Sequence, residues 1–230
     1  MFKSTDGGDT WSAVGLDGTG IYHLVIDPTT PTTLYAVTAV LGTIMPGVLF
    51  KSTDGGSTWS PANNDLTDGQ TISALAIDPT QPTTLYAGHG GTRGMWKTTD
   101  GGSNWSSINN GLSTDYVYAL AVDPITPTTI YASIYASISG LALYKSTDGG
   151  SSWSAVLTEF IETVAIDPTT PTTVYAGGGT GVYKSIDGGS TWSTINKGLP
   201  FRGRVRAFAI DPNTPTIVYA GHDTGVFVLQ

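Results

Sequence analysis

Five seven-residue stretches of the chain are almost wholly apolar: IYHLVID from Ile21, ISALAID from Ile72, VYALAVD from Val117, IETVAID from Ile161 and VRAFAID from Val205. Near-continuous apolarity over so short a run, rich in β-branched residues, predicts strands buried on both faces. Each is followed, across a polar turn of the DPTTPTT type, by a second strand, LYAV, LYAG, IYAS, VYAG and VYAG in order. A glycine-containing loop, a third strand and a DGG turn come next, and a tryptophan opens a fourth strand. In the second repeat these are Ile72 to Asp78, Thr84 to Gly88, Met95 to Thr98 and the segment from Trp105. No 3.6-residue period appears along the chain, so the pattern reads as all-β.

The turn before the fourth strand is the strongest repeat. KSTDGGSTWS, Lys51 to Ser60, recurs as KSTDGGDTWS from Lys3, KTTDGGSNWS from Lys97, KSTDGGSSWS from Lys145 and KSIDGGSTWS from Lys184. Its aspartates, Asp6, Asp54, Asp100, Asp148 and Asp187, lie 48, 46, 48 and 39 residues apart, a period that belongs to solenoids and propellers. Five inner strands, five second strands and five DGG turns predict a five-bladed β-propeller of four-stranded antiparallel blades. It forms a single domain over 1–230, with repeats near 21–62, 72–108, 117–156, 161–195 and 205–229 plus residues 1–14. The last repeat stops after GVFVLQ, its third strand, while residues 1–14 supply MFKS, a DGG turn and Trp11. The expectation is a ring closed by the N-terminal strand completing the last blade, with one third strand in duplicate. The competing reading is a piece of a longer array.

Composition narrows the function. The net charge of −8, with Lys and Arg clustered only at Arg202 to Arg206, argues against nucleic acid. No cysteine is present, which removes disulfides and thiolate metal sites, and no run of about 18 apolar residues spans a membrane. The start MFKSTDGG lacks the layout of a secretory signal, and the compartment stays open. His23 falls inside an inner strand, and His89 and His222 hold equivalent loop positions in blades that are not neighbours. No GxSxG, HExxH or phosphate loop occurs, so neither metal nor cofactor is expected.

The repeated turn fits SxDxGxxW: Ser4, Asp6, Gly8 and Trp11 match, as do the later copies, with Thr98 for Ser in the third. It resembles the Asp-box, or BNR repeat, of the propellers of sialidases, xyloglucan-active glycoside hydrolases, sortilin-type receptors and photosystem II assembly factors. The resemblance implies a propeller and favours an extracytoplasmic or secreted setting. The residues themselves read as structure: a short acceptor side chain binds the N–H groups of its own turn, glycine supplies positive φ, and tryptophan buries a large ring. Asp6 with Trp11, Asp54 with Trp59, Asp100 with Trp105, Asp148 with Trp153 and Asp187 with Trp192 are therefore assigned as staples. Asp27, Asp78, Asp123, Asp167 and Asp211, each before proline, are assigned as caps of the first turn. The lysines that open each box are placed on the outer blade surface, with no chemistry attached.

Both staples sit on one face of such a ring, and the strand 2–3 and inter-blade loops, which differ among copies, form the other. Binding surfaces form where repeats vary. Tyr22, Ser73, Tyr118, Glu162 and Arg206, the second residues of the inner strands, would ring the channel mouth there, with Glu162 and Arg206 able to pair. The candidate binding face comprises Tyr22, His89, Arg93, Tyr116, Tyr118, Tyr135, Glu162, Arg202, Arg204, Arg206, His222 and Asp223, with Phe160 as a further exposed aromatic. Of the 18 acidic residues, the ten staples leave Asp9, Asp17, Asp65, Asp68, Asp115, Asp223, Glu159 and Glu162, and all but Asp9 fall on the variable face. Glycoside hydrolysis needs two carboxylates across a cleft, which loops this short shape poorly. The resemblance to sialidases would require three arginines converging on a carboxylate, yet Arg202, Arg204 and Arg206 alternate along one segment. The reading is a non-catalytic binding or scaffolding module for a protein, peptide or polysaccharide, as a monomer or within a longer multi-repeat protein. The alternative is a glycoside hydrolase or a non-catalytic fragment of one.

Overall fold

The structure, a computed structural model, describes residues 1–40, 47–64, 66, 71–112, 116–136, 140–200 and 203–229. A small hairpin comes first, β1 (Phe2–Lys3) paired with β2 (Ser12–Ala13). Blade one contains β3 (Thr19–Ile26), β4 (Leu34–Val40), β5 (Val48–Ser52) and β6 (Ser60–Pro61). Blade two contains β7 (Ile72–Ile77), β8 (Leu85–His89), β9 (Met95–Thr98) and β10 (Ser106–Ser107). Blade three is β11 (Val117–Val122), β12 (Ile130–Ala136), β13 (Gly140–Ser146) and β14 (Ser154–Leu157). Blade four is β15 (Ile161–Ile166), β16 (Val174–Gly178), β17 (Gly181–Ser185) and β18 (Ser193–Thr194), and blade five has β19 (Val205–Ile210), β20 (Val218–His222) and β21 (Gly225–Leu229). Within each sheet every strand pairs antiparallel with the next, as the repeat pattern predicts, and no helix occurs among the described residues. None is therefore long and apolar enough to cross a membrane.

The box turns are built as the sequence suggests. In blade one the Ser52 hydroxyl donates to Asp54 Oδ1 at 2.8 Å and accepts the Gly56 N–H at 2.9 Å, while the Thr58 N–H and hydroxyl donate to the two oxygens of Asp54. Gly55 and Gly56 have φ of 72° and 96°, where a side chain would be strained. These hydrogen bonds hold the Asp54 carboxyl at about 2, with the Thr58 hydroxyl the largest cause. In the first turn the Asp27 carboxylate accepts the N–H groups of Thr29 and Thr30 at 2.8 and 2.9 Å, an Asx cap repeated at Asp78, Asp123, Asp167 and Asp211.

The core lies between blades. Tyr35 and Leu49 of blade one pack with Leu85 and Trp105 of blade two, and Tyr86 and Met95 with Ile130 and Trp153 of blade three. Tyr131 and Leu143 meet Val174 of blade four, and Tyr175 and Val182 meet Val218 and Ala220 of blade five. The box lysines correct their assignment as bystanders. Lys51 Nζ donates to the Gly101 carbonyl at 3.2 Å, Lys97 to Gly149 at 2.9 Å and Lys145 to Gly188 at 2.6 Å, each reaching the box of the following blade. Each also lies over the buried tyrosine of its own second strand, 5.3 to 5.6 Å from the ring centre. The repeat delivers an identical carbonyl to each lysine, so the contact recurs.

Closure differs from expectation. Among the described residues β21 pairs with β20 alone, and β1–β2 packs on blade one at the other end of the series. Lys3 Nζ donates to the Gly55 carbonyl at 3.2 Å, and Trp59 Nε1 to the Val14 carbonyl at 3.0 Å, the same contacts that join the later blades. The inner strands β3, β7, β11, β15 and β19 stand side by side in chain order, with β3 and β19 at opposite ends. The hairpin carries a box, the box contacts are equivalent at each blade, and the short link from Val14 to Gly18 favours the blade next in sequence over one at the far end.

Candidate functional site

Antiparallel up-and-down order places the Asp–Pro turns and boxes at one end of every blade and the strand 2–3 and inter-blade loops at the other. At that second end each inner strand is irregular at the same station. The ladder skips one residue between Ile21 and His23, Ile72 and Ala74, Val117 and Ala119, Ile161 and Thr163, and Val205 and Ala207. The skipped residues are Tyr22, Ser73, Tyr118, Glu162 and Arg206, the column singled out in the sequence. A bulge leaves its extra residue outside the ladder and re-aims the side chain, which is why such irregularities gather at sites.

One residue ahead of each strand lies a second column, which includes Tyr116, Phe160 and Arg204 in blades three to five. Their carbonyls accept the N–H groups of Tyr135, Gly179 and Asp223 at 2.8, 3.2 and 3.1 Å, so each station is pinned to the end of the second strand of its own blade or to the loop that follows it. The two columns interleave. The ring centroids of Tyr116 and Tyr118 are 4.7 Å apart, those of Tyr118 and Phe160 6.4 Å, and the Arg204 guanidinium stacks 5.0 Å from the Phe160 centroid. The result is a continuous line of π-surfaces across three blades, ending in a cation.

Charges lock the far end of this line. Arg204 Nη1 donates to Glu162 Oε1 at 2.8 Å, while Arg206 Nη1 stands 3.9 Å from Glu162 Oε2. Arg206 Nε donates to Asp223 Oδ1 at 2.6 Å, and the Arg204 N–H to Asp223 Oδ2 at 3.0 Å. The expected Glu162–Arg206 pair thus exists at longer range, and Arg204 is the nearer partner. The hydrogen bond from Arg206 holds the Asp223 carboxyl below the usual range, and the same bond raises Arg206. Burial pushes the Tyr118 phenol up. Glu162 is nearly buried, its side chain 8% exposed, whereas Tyr116 and Tyr135 are exposed at the rim.

The other candidates lie apart from this cluster. Tyr22 is exposed on blade one. His89 is fully buried with neither ring nitrogen hydrogen-bonded, and burial depresses its pKa to about 4. Arg93 lies over Trp96 at 5.9 Å. His222 hydrogen-bonds Thr224 at 2.8 Å and lines a cleft of about 280 Å³ between blades four and five, with Asn196, Leu199, Pro200 and Gly203. Arg202, Asp65, Asp68 and Asp115 lie outside the described residues. Among the described residues no group of three His, Asp or Glu gathers as metal ligands would. The sequence places Phe160 and Arg204 on the variable face without joining them; the signal was their shared station in adjacent repeats.

Comparison with known proteins matches this architecture. The glycoside hydrolase family 74 xyloglucanase of Xanthomonas campestris superposes with a TM-score of 0.71 at 18% identity, over 92% of this chain and 37% of that one. The family 74 enzyme of Niastella koreensis gives 0.69 at 24% identity, over 87% and 33%. YCF48 from Cyanidioschyzon merolae gives 0.69 at 17% identity, over 99% of this chain and 75% of that one. The chain thus spans about a third of the length of the family 74 enzymes, and at these identities the likeness establishes the β-propeller fold. Among curated proteins none matches the sequence. A family profile does match, that of Sortilin-Vps10 (sortilin, neurotensin receptor 3), over residues 1–137, more than half of the 230. On that match, the chain belongs to the Sortilin-Vps10 family.

Proposed function

We propose that the chain is a binding propeller that holds an extended polypeptide across the variable ends of blades three to five. The observation that carries this reading is the aromatic line Tyr116, Tyr118 and Phe160, capped by the Arg204 guanidinium and flanked by the Arg206–Asp223 pair. Exposed tyrosine and arginine at the centre of a patch are the residue types on which binding energy concentrates. The inner-strand bulges set these side chains on rigid elements, so little freedom is lost when a ligand binds. The family description names a neurotensin receptor.

A peptide array followed by titration of the best peptide tests the reading, with Tyr118→Ala expected to weaken binding by about tenfold or more. A glycan array run beside it addresses the polysaccharide reading, which the exposed tyrosines also suit. Binding retained in both Tyr118→Ala and Arg204→Ala, but lost on changes at the box turns, would move the site to the opposite face. Hydrolysis of xyloglucan or another β-glucan by the folded protein would replace the binding reading with an enzymatic one.

A further inference from the structure

Blades two and four end in the same asparagine, but only one of the two is fully engaged. In blade two, Asn109 Oδ1 accepts the Met95 N–H at 2.7 Å and Asn109 Nδ2 donates to the Arg93 carbonyl at 2.9 Å. In blade four, Asn196 Oδ1 accepts the Val182 N–H at 2.7 Å, while Asn196 Nδ2 has no acceptor among the described residues. The strand 2–3 loops account for the difference. Six residues, His89 to Gly94, separate Gly88 from Met95, and only four, Gly178 to Gly181, separate the matching Gly177 from Val182. The shorter loop closes as a hairpin, with Gly178 paired to Gly181, and supplies no carbonyl to the asparagine.

Asn196 lines the cleft between blades four and five, whose apolar walls are Leu199, Pro200 and Val205. Blade five contributes a second donor. His222 Nδ1 accepts the Thr224 N–H at 3.2 Å, so the neutral ring carries its proton on Nε2, which has no partner among the described residues. That edge of the ring lies against Gly203, where a Cβ would stand 2.7 Å from Nε2, and the Asn196 amide lies likewise against Gly181, where a Cβ would stand 2.5 Å from Nδ2. Both glycines line the cleft. The cleft also adjoins the aromatic line. Gly179 lines it and packs on Phe160, whose ring a Cβ there would meet at 3.1 Å, and Gly203 and Val205 flank Arg204 in the chain.

We infer that this cleft is a specificity subsite that takes one glutamate or glutamine side chain of the bound polypeptide by its terminal oxygen, an assignment that rests on polypeptide binding along Tyr116, Tyr118 and Phe160. A volume of about 280 Å³ falls just below the range of about 300–1,000 Å³ for whole small molecules and suits a single side chain. Two free donors, Asn196 Nδ2 and His222 Nε2, call for an oxygen that accepts both, and the apolar walls cover the methylenes that carry it. Glutamate and glutamine share that oxygen and those methylenes. Lysine would set an ammonium against two donors, and leucine would strip both of solvent with no acceptor in its place.

A positional-scanning hexapeptide library, with each position held in turn at Glu, Gln, Leu or Lys, tests this by fluorescence anisotropy on the full chain. Wild type is expected to favour Glu or Gln over Leu at one position by about tenfold, as two hydrogen bonds would. Glu above Gln there identifies recognition of the charge, and parity identifies recognition of the oxygen itself. Asn196→Asp keeps the acceptor for the Val182 N–H but removes the donor, and is expected to abolish the preference for Glu. His222→Phe is expected to reduce the preference for both, with His222→Ala in its place if it does not melt like wild type. Tyr118→Ala is expected to weaken all peptides alike and keep the preference. Peptides that weaken in Tyr118→Ala, yet bind as well with Leu or Lys as with Glu and Gln at every position, overturn the subsite alone. So does a preference for Glu that survives Asn196→Asp, or any preference undiminished by the His222 change. Absence of hexapeptide binding by wild type, or binding untouched by Tyr118→Ala, overturns the polypeptide reading and the subsite with it.

Discussion

The same residue in the same motif occupies opposite environments at Trp105 and Trp11, which makes the pair a test of where the stability of the repeat resides. Trp105 is 5% exposed between blades one and two, and its indole N–H donates to the Ala62 carbonyl at 3.0 Å. A tryptophan buries about 150–250 Å². At about 25 cal/mol per Å² its full burial contributes roughly 4–6 kcal/mol. Replacing it by alanine retains part of that area but opens a cavity, and buried Trp→Ala changes cost about 3–5 kcal/mol. Trp11 keeps only the remainder of its ring against protein, so the same reasoning gives about 1–2 kcal/mol for Trp11→Ala. Urea unfolding followed by tryptophan fluorescence and circular dichroism reads both values, with m-values compared to confirm that the same surface unfolds. Trp59, half-buried, is expected to fall between them. Equal losses at Trp105 and Trp11 would refute the reasoning, since the motif would then act through its turn alone and not through burial between blades.

Other expectations follow from the same packing. A Cβ on Gly88 would stand 2.5 Å from Val117 of blade three, and one on Gly177 2.8 Å from Val205 of blade five, whereas on Gly221 the nearest atom would be Ala207 Cβ at an ordinary 3.6 Å. Gly88→Ala and Gly177→Ala should each cost about 1–3 kcal/mol in urea unfolding, and Gly221→Ala close to nothing. His89, buried and neutral, refuses the proton that the unfolded chain accepts, so the stability present above pH 6.5 falls as pH drops and the loss is complete near pH 4. The change is at most roughly 3 kcal/mol, and His89→Leu should flatten most of that limb of a stability–pH curve, leaving the smaller contribution of His23, also lowered by burial. The box carboxylates are depressed instead to about 2 at Asp54, Asp100, Asp148 and Asp187, so their stabilisation holds above the ordinary carboxylate value near 3.8 and disappears as pH falls through 2. Melts taken across that range, with Asp100→Asn reducing the limb by the share of one box, would separate it from the histidine limb.

Much of the molecule is local and therefore legible in the chain. Strand identity follows from the apolar runs, the box and Asp–Pro turns from hydrogen bonds that span two to four residues, and the inner-strand register from the alignment of five copies. The column Tyr22, Ser73, Tyr118, Glu162 and Arg206 was visible because it varies inside a constant frame, although the bulge that re-aims it was not. Bulges depend on how two strands pair, which no single strand records.

The tertiary structure decided everything that passes between blades. The role of Lys51, Lys97 and Lys145 depends on a carbonyl some fifty residues away that the stacking brings within reach. Arg204 stands 2.8 Å from Glu162 and Arg206 3.9 Å, a difference that the alternation of Arg202, Arg204 and Arg206 in sequence does not show. The choice of which blade the N-terminal hairpin joins was decided in the same way. Repeats whose contacts are identical specify the same interface at each blade, so sequence alone determined what kind of contact the hairpin makes, while chain connectivity in three dimensions determined where.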